Sequence, residues 1–112
     1  MRLARHHGLV TTWMRCYWDE EDTWFYFEVD GEGWVIRQVE LEGPELIPGV
    51  AASLTEWQLA FDAGRLDEIS RFGITAELPV SEWEGHVPEQ LAFEEFEEVW
   101  GTARRQIASR PS

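Results

Sequence analysis

From Trp24 onward the chain alternates. Phe25, Phe27 and Val29 fall on one side of an extended run, and Trp24, Tyr26, Glu28 and Asp30 on the other, the period of two that a β-strand imposes. Aromatic and β-branched residues favour that state. Gly31, Glu32 and Gly33 interrupt the run, and a second one extends from Trp34 to Glu42. A three-residue loop with Gly33 in the left-handed conformation after a type I turn joins such strands. With unbroken pairing beyond it, Val29 faces Val35, Phe27 faces Arg37 and Phe25 faces Val39, so the odd-numbered face is the predicted core. The other face mixes Trp24, Tyr26, Trp34 and Ile36 with Glu28, Gln38, Glu40 and Glu42. That is more aromatic than a solvated sheet face requires, and it predicts either cover by the rest of the chain or a contact surface.

The flanking segments are read around this hairpin. Residues 1–13 read as an arm, 14–108 as one domain and 109–112 as a tail, with an extended stretch beginning at Met14, Arg15, Cys16, Tyr17 and Trp18. Gly43-Pro44 and Pro48-Gly49 punctuate the chain beyond the hairpin, and Val50, Ala51 and Ala52 suggest a short strand. Ser53 with Glu56 three residues on is a capping box. It opens a helix with Leu54, Trp57 and Phe61 on one stripe, a stop at Gly64, and a place on the odd-numbered face of the sheet. A second short helix is expected over 65–72, a strand through Ile74, Ala76 and Leu78, and a loop over 81–89. The last helix, about Ala92 to Ile107, carries Phe93, Phe96, Val99, Trp100, Ala103 and Ile107 on one stripe. Its glutamates lead and its arginines trail, as the helix dipole favours. The expected fold is α+β, an antiparallel sheet of three to four strands built on the central hairpin (24–42) with two or three helices packed on one face.

Composition narrows the function classes. The chain has 112 residues and a net charge of -13, yet is 44% hydrophobic with seven Trp and six Phe, which is a core-forming composition rather than a disordered one. Every acid lies between Asp19 and Glu98, where the only bases are Arg37, Arg65 and Arg71. A body so acidic repels phosphate backbones and attracts basic proteins or cations, so nucleic acid is not expected as a partner. The absence of Lys removes Schiff-base and lysine-base chemistry. Cys16 is the sole cysteine, which forbids an internal disulfide and points to a reducing compartment. The start of the chain has no apolar run long enough for a leader or a span, so a cytoplasmic location is expected and a membrane is not.

No catalytic motif or phosphate loop is present, and no cofactor is expected. The candidate binding residues are the run Asp19, Glu20, Glu21 and Asp22, the aromatics Trp24, Tyr26 and Trp34, the lone core-face charge Arg37, and His86 among Glu82, Glu84 and Glu89. Consecutive carboxylates point in different directions and lack the alternating spacing and fixed glycine of a calcium loop, so no metal site is assigned. His6 and His7 have no third ligand nearby.

Glu28-Val29-Asp30, Arg37-Gln38-Val39-Glu40 and Glu95-Phe96-Glu97-Glu98-Val99-Trp100 together resemble a family of small, acidic, uncharacterised bacterial proteins. Members pair a strand ending in Glu-[Leu/Val]-Asp with a turn and Arg-x-Val-Glu, and close with Glu-Phe-Glu-x-x-Trp. The resemblance implies a bacterial origin and an α+β fold, and carries no activity with it. This chain departs from the pattern before the last helix, where Leu91-Ala92 stands in place of a serine cap. A Glu28–Arg37 pair across the hairpin requires one more residue between them than the unbroken register supplies. The function expected on these grounds is non-enzymatic: an acidic, aromatic-bearing surface that binds a basic protein, as an immunity protein binds a toxin. The alternatives are a small-molecule or cation site, conceivably a weak hydrolase, in a Trp-lined pocket with Arg37 and His86, and a homodimer through the aromatic face.

Overall fold

Successive extended segments joined by short turns fold back on one another as antiparallel neighbours. The computed structural model describes residues 11–76 and 88–110. Strands β1 (Thr12–Trp18), β2 (Thr23–Val29), β3 (Val35–Glu42) and β4 (Ile47–Ser53) form a meander, followed by helices α1 (Leu54–Asp62) and α2 (Leu66–Phe72), a short β5 (Glu89–Leu91) and the long helix α3 (Phe93–Ala108). Strand order is β4-β3-β2-β1-β5, with β5 antiparallel to the first half of β1 through Trp13↔Leu91 and Arg15↔Glu89. The class is α+β as expected. The sheet has five strands among the described residues, not three or four, because β5 is too short to display a period. Thr12 and Trp13, read as arm, belong to β1. Ile74, Thr75 and Ala76 form no strand, and the remainder of that expected strand, with Trp83 and His86 in the loop after it, lies outside the described residues.

The hairpin turn forms as its residues dictate. Gly33 adopts φ +91°, its N–H donates to the Asp30 carbonyl (3.0 Å), and the Asp30 N–H donates to the Trp34 carbonyl (2.9 Å). The Asp30 carboxylate caps the loop by accepting from the N–H groups of Glu32 (2.9 Å) and Trp34 (3.0 Å). Val29 pairs with Val35 as predicted, but the next pair is Glu28↔Arg37. Ile36 is the extra residue of a β-bulge. From there the predicted register is wrong by one: Phe27 faces Gln38, Phe25 faces Glu40 and Tyr26 faces Val39. Because side-chain period is two, that single residue moves Arg37 and Val39 to the face of Glu28 and Tyr26.

Both faces of the sheet therefore bury apolar groups. Phe25, Phe27, Val29 and Val35 cluster on one, with Met14, Trp18 and Ala76 against them. Val39 and Ala51 lie on the other beneath Ala103 and Ile107 of α3, with Tyr26, Leu41, Phe72, Val99 and Trp100 alongside. The C-terminal helix thus covers Tyr26 and Val39, opposite to the odd-numbered β2 face expected to carry the helices. Its first turn lacks a side-chain cap at Ala92, and Glu95 compensates by accepting from the Ala92 N–H (3.1 Å).

Helices α1 and α2 gather beside β3 and β4. The Ser53 hydroxyl accepts from the Glu56 N–H. Gly64, at φ +76°, ends α1 with the paired bonds Gly64 N–H to Phe61 C=O (3.1 Å) and Arg65 N–H to Ala60 C=O (2.8 Å), a Schellman closure. The buried stripe of α1 runs through Ala60 rather than Phe61, which is 62% exposed. After α2 the chain is pinned to the other sheet face, where Gln38 Oε1 accepts from the Ala76 N–H (2.8 Å).

An outer strand offers unpaired backbone groups to any passing chain. On β4, Pro48 removes one donor, Arg104 Nε donates to the Ala51 carbonyl (2.8 Å) and Arg110 Nη2 donates to the Pro48 carbonyl.

Candidate functional site

Two places concentrate polar chemistry. The first lies between the sheet and the start of α3. Arg37 Nε donates to Glu28 Oε1 at 2.6 Å and its Nη2 to Glu28 Oε2 at 2.9 Å, a two-point clasp. The same Nη2 reaches Glu97 of α3, and Trp13 Nε1 donates to Glu28 Oε2 at 2.8 Å. The guanidinium carbon stands 4.9 Å from the ring centres of both Phe96 and Trp100, and Trp13 meets Phe93 edge-on at 5.1 Å. Burial alone pushes the Glu28 carboxyl up, but the bonds from Arg37 and Trp13 and the Arg37 charge outweigh it, so Glu28 ends below the usual carboxylate value. The bond that Arg37 donates to Glu28 likewise raises Arg37. Arg37 is consumed in fastening α3 to the sheet, and neither cavity described below includes it in its walls.

The second place is the end of the sheet where the β1–β2 and β3–β4 turns meet. The Gly43 N–H donates to the Asp22 carbonyl at 2.8 Å, joining the turns, and Tyr17 Oη donates to Asp22 Oδ1 at 2.8 Å. That bond raises the Tyr17 phenol above its ordinary value. Asp19, Glu20, Glu21, Asp22, Glu42 and Glu45 are all exposed here. Glu40 is half-buried behind them, and burial, with help from the charges of Glu42 and Glu21, pushes its carboxyl up against the lowering bond from Gln38. Among the described residues no group of acids, histidines or cysteine is arranged to hold a metal ion.

Strand registers lay an apolar row across this end. Tyr17↔Trp24, Trp24↔Leu41 and Leu41↔Pro48 are neighbours on successive strands, and the Arg15 guanidinium lies 4.8 Å over the Trp24 ring. Arg15 is itself paired to Glu89 at 2.8 Å. The row runs into a groove of about 240 Å³ between the β3–β4 turn and α3, lined by Leu41, Leu46, Pro48, Val99 and Ala103 with Glu98 at its side. Leu46, at its mouth, is 47% exposed, and the adjoining Ile47 is 50% exposed. Leu46 sits at φ +55°, a left-handed conformation that L side chains adopt at a cost.

The predicted binding residues are thus dispersed. The run of acids joins Trp24 at one end of the sheet. Tyr26 is half-buried beside Val39 under the C-terminal helix, and Trp34, 41% exposed, is carried on the hairpin loop at the other end of β2 and β3. Arg37 belongs to the ion-pair network, and His86 lies outside the described residues. Leu41, Leu46 and Ile47 were missed, although two apolar residues inside a Gly-Pro-Glu turn are themselves a signal.

A third feature is a cavity of about 250 Å³ between α1, α2 and α3, lined by Ser53, Glu56, Trp57, Ala60, Phe72, Gly73 and Arg104. Arg104 pairs with Glu56 and stacks 3.9 Å from the Phe72 ring centre and 4.4 Å from that of Trp100. Sequence placed Arg104 only at the basic end of a helix. Its spacing of four from Trp100 puts the two on one helical face.

Comparison with family models, with curated proteins and with solved structures returned no match. No helix among the described residues is long and apolar enough to cross a membrane.

Proposed function

We propose that the chain is a non-enzymatic binding module that docks a basic polypeptide on the acidic end of its sheet, in the manner of an immunity protein meeting a toxin. The observation that carries this reading is Leu46, an exposed apolar side chain held in a strained conformation at the mouth of an apolar groove and bracketed by carboxylates. Folding alone favours glycine or asparagine there. A solvated leucine at such a site makes sense when a partner covers it. The row Tyr17, Trp24 and Leu41 supplies the aromatic and aliphatic area from which binding hot spots are made, and the surrounding acids steer a cationic partner and reject anionic ones. Self-association through this end sets like charges face to face, which disfavours the homodimer.

The test is binding to the basic product of an adjoining gene, or to a basic protein first captured by the immobilised chain and then purified. Neutralising the turn acids together (D19N, E20Q, E21Q, D22N) slows association by about tenfold or more at low salt and flattens its dependence on ionic strength. L46G, which leaves the charge untouched, speeds dissociation instead. A partner whose rates respond to neither set of changes refutes the surface.

A further inference from the structure

We propose that the cavity between α1, α2 and α3 binds a free α-amino acid with an apolar side chain. The inference is independent of the docking surface, because the two sites share no lining residue. Arg104 spends Nε on the Ala51 carbonyl and Nη2 on Glu56, which leaves Nη1 without a partner among the described residues. Its guanidinium is held in place by Phe72 and Trp100, so little freedom is lost when an anion binds it. The Ser53 hydroxyl lines the same cavity and donates no bond of its own among the described residues, so it is a second donor for a carboxylate bound there.

Glu56 supplies the opposite charge. Its side chain is 58% exposed, so it can turn from Arg104 toward an incoming ammonium without disturbing the core. Trp57 and Phe72 line the same cavity with apolar ring surface, and Trp57 is fixed by its Nε1 donating to Thr75 Oγ1 at 3.2 Å. Paired groups of opposite sign beside an apolar wall fit a zwitterion carrying a greasy side chain. The ligand's zero net charge matters as well, since a molecule at -13 repels a bare carboxylate but not a neutral solute. The volume of about 250 Å³ falls just under the roughly 300–1,000 Å³ of drug-sized sites, which suits an amino acid rather than a nucleotide or a peptide.

L-Phenylalanine, phenylacetate and phenethylamine separate the contributions, the second lacking the amine and the third the carboxylate. Binding is followed by calorimetry and by the Trp57 indole N–H resonance. Phenylalanine is expected to bind about tenfold or more tightly than either analogue, each lost charge contact being worth about that factor. In E56Q, an exposed substitution that keeps the fold, the preference reverses and phenylacetate binds at least as well as phenylalanine. R104Q loses both. Equal affinities for the three compounds, an unchanged preference in E56Q, or no movement of the Trp57 resonance up to about 10 mM, an affinity too weak to count as a site, overturns the proposal.

Discussion

A carboxylate withdrawn from water keeps its charge only where partners replace the lost hydration. Glu28 and Glu40 stand on opposite sides of that rule. Glu28 has Arg37 and Trp13, and its folded pKa is lowered; its contribution is complete above the ordinary carboxylate range and drains away as pH falls through the folded value. Glu40 has, among the described residues, only the Gln38 amide (2.8 Å), and its folded pKa is raised; it favours the fold in acid and loses that contribution as pH rises through the folded value. E28Q, leaving Arg37 short of a buried counter-charge, is expected to cost about 3 kcal/mol in urea denaturation at neutral pH, and W13F about 1 kcal/mol through the lost bond to Glu28. E40Q is expected to raise the melting temperature at pH 7, and the gain to vanish below about pH 4, where the native carboxyl is also protonated. Leu46 belongs to this scale too: L46G relieves its left-handed strain and is expected to stabilise the isolated chain by about 1 kcal/mol, in calorimetry on the protein without a partner.

At the scale of elements, what could be read from sequence was what is locally determined. Gly33, Gly64 and the Ser53–Glu56 pair announced a turn, a stop and a start because each acts within a few residues of itself, and the stripe Phe96, Ala103 and Ile107 announced α3 because helical period is local. The bulge at Ile36 was not legible, since nothing in Val35, Ile36 and Arg37 reveals which is unpaired until Glu28 on the partner strand claims Arg37. That pairing is incompatible with the unbroken register, and the one extra residue at Ile36 supplies it. The consequences spread: Val39 changed face, Tyr26 went beneath a helix, and the row Tyr17, Trp24, Leu41 and Pro48 emerged only once four strands were in register. Deleting Ile36 is expected to restore an unbroken ladder in which Val29 still faces Val35 and Arg37 still faces Glu28, since only the bulged residue is removed. Hydrogen exchange should then show α3, which the Glu28–Arg37 clasp fastens through Glu97, opening no faster than in the intact chain.

Across the whole molecule the charge of -13 is self-repulsion that the fold carries. The acids of the two joined turns and those leading α3 are mostly exposed, where salt screens them within about 8 Å at physiological ionic strength, while the Glu28–Arg37 pair is sheltered. Sodium chloride is therefore expected to raise the melting temperature steadily, whereas the loss on E28Q stays nearly constant across the same titration. A melting temperature that falls with salt contradicts this division between surface and buried charge.

The arginines that reach the carbonyls of β4 carry one more implication. A chain ending before Arg104 loses both of them, and with them the last turn and a half of α3 over Val39. Such a fragment presents a bare hydrogen-bonding ribbon on a weakened body, and it should grow into thioflavin-positive fibrils by strand addition under conditions that leave the intact protein monomeric.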